Sequence, residues 1–126
     1  MANDDTFTQV HKKTVCVNKT LVLSWTSDSV DGSVDGDTES IDGLIHRVVT
    51  NPSATAPDDN YNVYLRDSDG WDVLTSTVGA AQGENRDETN TESIVLDPPA
   101  AVSGPLTLAI DTAGNSKNGT ITIYYR

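Results

Sequence analysis

Cysteine is nearly absent: Cys16 stands alone in 126 residues, so no disulfide framework braces the chain. Between Val15 and Val17, with no His, Asp or second Cys in a recognisable relation to it, Cys16 reads as a buried strand residue, not a nucleophile or a ligand. Long apolar runs are missing too. None approaches the ~20 residues of a membrane helix, and the N-terminus lacks the apolar core of a signal peptide. The expectation is a soluble protein made in the cytoplasm, with no membrane partner. On that reading the triplets beginning at Asn18 and Asn118 are chance matches to the glycosylation pattern. Helical periodicity is a third absence: no window sets apolar residues at i, i+3, i+4 and i+7, leaving at most one turn near Ala80.

Basic residues are scarce. Eight Lys and Arg oppose nineteen Asp and Glu, a formal charge of −11 that argues against bare nucleic acid or anionic lipid as a partner. The imbalance is uneven. Residues 1–27 set Lys12, Lys13 and Lys19 against Asp4 and Asp5, a net of +1, which leaves −12 for residues 28–126. A near-neutral arm on an acidic body suits docking by the arm while the body faces solvent. Solvated charges at a strand edge are the plainer reading of Lys12 and Lys13.

What is present is strand. In residues 61–66, Tyr61, Val63 and Leu65 alternate with Asn62, Tyr64 and Arg66, the period of a strand with one face on a core. The next four residues, Asp67, Ser68, Asp69 and Gly70, suit a hairpin returning through Trp71, Val73 and Leu74. Residues 43–50 form the strand before them, and Pro52 and Pro57 bracket the loop between. Further strands are expected at residues 14–17, 20–27, 93–96 (stopped by Pro98 and Pro99), 106–111 and 120–125.

The segments between differ in kind. Residues 28–42 hold six carboxylates, three of them Asp28, Asp35 and Asp37, with no basic residue, and are expected to be an exposed loop. Residues 75–91 form the longest break. By length the chain is one domain. The prediction is therefore an all-β, single-domain antiparallel β-sandwich of seven or eight strands, immunoglobulin-like or jelly-roll-like. Residues 1–13 are a flexible N-terminal arm on it, and residues 14–126 are the sandwich. Leu21, Leu23, Trp25, Val63, Leu65, Leu108 and Ile121 are the expected core.

No chemistry converges in the sequence. The Asp-rich turns lack the twelve-residue spacing and terminal Glu of an EF-hand loop, and turn geometry already accounts for them. No carboxylate pair is singled out for glycoside hydrolysis, and neither His11 nor His46 has a glycine-elbow serine to serve. His46 reads as a strand residue on a half-exposed face. Tyr61, Tyr64 and Trp71 could form a sugar-stacking surface, but an aromatic strand pair is more often cross-strand packing. No catalytic, cofactor or metal residue is assigned.

The run of residues 48–74, from Val48 through Asn51-Pro52 and Asp67-Ser-Asp-Gly70 to Leu74, resembles small virion structural proteins of tailed bacteriophages. So do residues 84–92, and Leu106-Thr-Leu-Ala-Ile110 with the Gly114-Asn-Ser-Lys-Asn-Gly119 turn. The resemblance covers most of the chain after Thr20. It implies a non-enzymatic β-sandwich on the capsid exterior, a decoration or cement protein that binds the major capsid protein and forms a dimer or trimer. Lys12, Lys13, Lys19 and Arg86 are its candidate capsid contacts. The alternative is a host-attachment or tail module that binds surface glycan. The acidic segment 28–42 departs from the resemblance.

Overall fold

A computed structural model describes residues 5–13, 19–75 and 81–126, without the side chains of residues 11–13. The strand expected at residues 14–17, Cys16 and the turn near Ala80 lie outside the described residues. The described chain is all-β, with no helix, and its eight strands form two antiparallel sheets.

The larger sheet has five strands. In spatial order they are β1 (Thr6–Lys13), β2 (Lys19–Thr26), β8 (Asn118–Tyr125), β4 (Gly43–Pro52) and β6 (Glu92–Val102). The smaller sheet has three: β3 (Val34–Asp37), β7 (Thr107–Asp111) and β5 (Asn62–Arg66). Alternation builds the core between them. Leu21, Leu23, Trp25, Ile121 and Ile123 point in from one sheet, and Val34, Val63, Leu65, Leu108 and Ile110 from the other, all buried. Every expected core residue is among them. Gly119 lies directly across from Trp25, and a Cβ there would stand 3.0 Å from the indole, so the glycine makes the room that the ring occupies.

Four local expectations change. The arm expected through residue 13 is, from Thr6 onward, edge strand β1 in unbroken register with β2, from Thr6 opposite Thr26 to Lys13 opposite Lys19. Its alternation is modest in hydrophobicity, because the outward residues are Thr6, Thr8 and Val10, but Phe7 packs against the core. Two side chains tie it to the other sheet: Asp5 Oδ2 accepts from Asp35 N at 3.0 Å, and Gln9 Oε1 from Glu39 N at 2.7 Å.

The acidic segment 28–42 is not simply an exposed loop. Asp28 is fully buried, its Oδ2 accepting from the N–H groups of Val30 and Asp31 at 3.2 and 3.1 Å. Those bonds compensate the carboxylate for lost water. Val34 and Ile41 are buried as well and pull β3 onto the core, leaving Asp31, Asp35, Asp37, Glu39 and Asp42 exposed.

Strand β6 runs through Pro98 and Pro99 to Val102. An edge strand tolerates proline, and the pairing with β4 shifts register between Ile45 and Arg47, opposite the proline pair. The turn at residues 67–70 forms as expected, with Gly70 at a φ of 82° and Asp67 Oδ1 accepting from the N–H groups of Asp69 and Trp71. No strand returns from it. Arg66 and Asp72 make one isolated bridge, and Val73 and Leu74 then turn into the core.

Candidate docking face and surface groove

The strand order sorts charge. β1, β2, β8 and β4 are adjacent, and their sequences contain no Asp or Glu at all, against four basic residues: Lys12, Lys13, Lys19 and Arg47. The carboxylates lie in the loops, on β3 and β7, and on the far edge strand β6.

Register lays the outer face of these strands out in rows. Thr8, Ser24, Thr120 and Asn51 form one row, and Val10, Val22, Thr122 and Val49 the next. A third row takes the register positions of Lys12, Thr20, Tyr124 and Arg47. In that row the Arg47 guanidinium lies over the Tyr124 ring, 4.8 Å from its centroid, and Arg47 Nε donates to Ser93 Oγ at 2.9 Å. The face is broad, hydroxyl-rich and β-branched, with exposure falling across the central row from Val10 at 54% to Val49 at 9%.

The four sequence-derived contact residues do not assemble. Lys12 has a register position on this face. Lys13 and Lys19 are opposite one another one position along, and Lys19 Nζ sits 5.7 Å from the centroid of Tyr125. Arg86 is elsewhere, engaged within the molecule: Nη1 pairs with Glu92 at 3.5 Å, while Nε and Nη2 reach Glu84 O. It fastens the segment before β6. Arg47 is the basic residue of the face that sequence reasoning passed over, and its signal was its place in an otherwise acid-free strand.

The proposed aromatic trio separates as well. Tyr61 is buried in the core, and Tyr64 sits beneath the Arg66 guanidinium, 4.7 Å away. Only Trp71 is open. It borders a concavity of about 380 Å³ at the β6 edge, shared with Asp67, Gln82, Asp97, Pro98 and Ala100.

Two carboxyl groups are shifted in opposite directions by their surroundings. Burial pushes Asp72 above the usual carboxylate range, although Oδ1 accepts from Leu65 N and Leu74 N at 3.1 and 3.2 Å. Asp87 goes the other way, to about 2, because it collects the Thr89 N–H, the Thr89 hydroxyl and both donors of Asn90. His46 lies at the β4 irregularity, half-buried, with Nε2 buried and unpartnered. Among the described residues no three His, Cys, Asp or Glu side chains are grouped to hold a metal ion. Comparisons with protein families, with curated proteins and with solved structures find no significant match.

Proposed function

We propose that this chain is a non-enzymatic structural protein of a tailed-phage virion, a decoration or cement protein that binds the outer capsid through the exposed face of β1, β2, β8 and β4. The observation that carries the reading is the charge sorting: a chain of net charge −11 keeps four adjacent strands free of carboxylates. Docking by that face directs the acidic loops to solvent, where they keep a crowded particle soluble. Rows of Thr, Ser and Val offer a flat surface with no carboxylate to desolvate and with hydroxyls that can bond across the contact, and Lys12 and Arg47 add attraction to acidic groups on the major capsid protein. The sequence resemblance over residues 48–74, 84–92 and 106–119 supports the same role. The chain acts on the virion exterior as a dimer or trimer after synthesis in the host cytoplasm.

The test is occupancy on purified particles. A Val22→Glu, Thr122→Glu double variant places two carboxylates in the central row, and its thermal unfolding reports whether the fold is kept. Large copy number for the parent, with reduced binding of the folded variant and weaker attachment in high salt, is the expected result. A parent present in only a few copies per particle would sink the decoration role. A folded variant that decorates as fully as the parent would remove the face from consideration.

A further inference from the structure

The second tryptophan raises a separate question. Trp25 fills the core at 2% exposure, whereas Trp71 is 60% exposed, the most exposed aromatic ring among the described residues. Such a ring ordinarily costs hydration and invites aggregation, so its surroundings matter.

Trp71 is held firmly. Its N–H donates to Asp67 Oδ1 at 3.0 Å, its carbonyl accepts from Asp67 N at 2.9 Å, and Gly70 N closes the same turn onto Asp67 O at 3.0 Å. Two residues on, Val73 N donates to Leu65 O at 2.7 Å and the chain enters the core. The backbone that presents the indole is therefore ordered before any ligand arrives, which lowers the entropy cost of binding.

The concavity beside it has two kinds of wall. Pro98 and Ala100, on the edge strand, are small and apolar, while Asp67, Asp97 and Gln82 bring two carboxylates and an amide. Its volume, about 380 Å³, lies toward the lower end of the ~300–1,000 Å³ typical of small-ligand sites. A flat exposed ring, small apolar residues beside it, and the Asp97 carboxylate and Gln82 amide match a molecule with one C–H face and a rim of hydroxyl donors.

We propose that the Trp71 groove is a binding site for a neutral pyranose saccharide, with the sugar's C–H face on the indole and its hydroxyls donating to Asp97 and bonding to the Gln82 amide. Asp67 and Asp97 exclude anionic sugars by like charge. A cationic amine is the other chemistry that an aromatic ring and carboxylates attract, but a single ring makes no cage around it, and Gln82 offers a cation less than it offers a hydroxyl. The site lies at the β6 edge, away from β1 and β2, so it does not depend on the capsid-docking reading.

Tryptophan emission tests it, because Trp25 is buried and Trp71 is the ring a ligand can reach. The purified protein is titrated into the millimolar range with soluble oligosaccharides of glucose, galactose, mannose and N-acetylglucosamine, and in parallel with tetramethylammonium chloride. The expected result is a saturable shift with at least one neutral oligosaccharide. Binding followed by calorimetry should be lost in Trp71→Ala, retained in part in Trp71→Phe, and weakened about tenfold in Asp97→Asn. Both positions are exposed, and circular dichroism verifies the folds of all three variants. No saturable response to any of the four sugars, a response to tetramethylammonium alone, or sugar binding that survives Trp71→Ala would overturn the proposal. Capsid occupancy of Trp71→Ala should equal that of the parent, which separates failure of this site from failure of the docking face.

Discussion

Trp25 and Tyr61 meet across the sandwich, ring centroids 5.9 Å apart and planes tilted by 44°, one from β2 and the other from the residue that leads into β5. Both rings are buried between the two sheets. Tyr61 Oη lies beside the Thr50 hydroxyl, but neither makes a hydrogen bond of good geometry.

The pair therefore separates packing from polarity. Trp25→Ala or Tyr61→Ala should each cost ~3–5 kcal/mol by urea denaturation, as truncations of large core rings do. Tyr61→Phe keeps the ring and removes an unpaired hydroxyl, so it should fall within about 1 kcal/mol of the parent. A Tyr61→Phe loss as large as that of Tyr61→Ala would mean that the hydroxyl is bonded in solution.

Asp72 and Asp87 should tilt stability in opposite directions with pH. The folded pKa of Asp72 is raised by burial, so its contribution is most favourable below the unfolded value of 3.8 and is lost as pH rises through the folded value. For Asp87 the folded value is about 2, so its contribution is present above 3.8 and is lost as pH falls toward 2. Urea midpoints measured across acid pH should show Asp72→Asn gaining on the parent as pH rises, since its amide oxygen keeps the bonds from Leu65 and Leu74. Asp87→Ala should lose ground over the same range. Carboxyl-carbon titration by NMR checks both assignments directly.

Gly83 is pressed against β5. Val63 N donates to Gly83 O at 2.8 Å, and a Cβ on Gly83 would stand 1.9 Å from Val63 O and 2.9 Å from Leu74 Cδ1. Because backbone is in the way, Gly83→Ala should destabilise by ~1–3 kcal/mol or more, with the melting temperature as the measure. A neutral outcome would mean that the segment lifts away from β5 at little cost.

Much of the fold was legible because burial and alternation coincide in the central strands. Leu21, Leu23 and Trp25 announce β2, and Val63 and Leu65 announce β5, with a turn whose aspartates and glycine need no tertiary help. The edges were harder. β1 exposes Thr6, Thr8 and Val10 and hides only Phe7 deeply enough to matter, so its pattern resembles a polar tail. β3 was hidden by Asp35 and Asp37, which are outward residues on an edge strand whose inward anchor is Val34. Pro98 and Pro99 suggested an end to β6 because the lost donors matter in a central strand and not at a margin.

The candidate surfaces were legible only in fragments. Lys12 was singled out and Arg47 was not, because their common row requires the order β1-β2-β8-β4, which brings the last strand of the chain between two early ones. Trp71 was picked out as an aromatic, yet Asp97 comes to it from a strand 26 positions later, and no local pattern predicts that meeting.

The two margins of the five-stranded sheet are unequal, and this governs how copies of the molecule can meet. β6 carries two prolines without N–H groups and a break in register, so a further strand finds a poor ladder there. β1 has no proline, and its pairing with β2 is unbroken. Edge-to-edge association through this sheet therefore has one usable side per molecule. Two copies joined β1 to β1 leave no second side of that kind, so such a contact closes as a symmetric pair and does not propagate through this sheet.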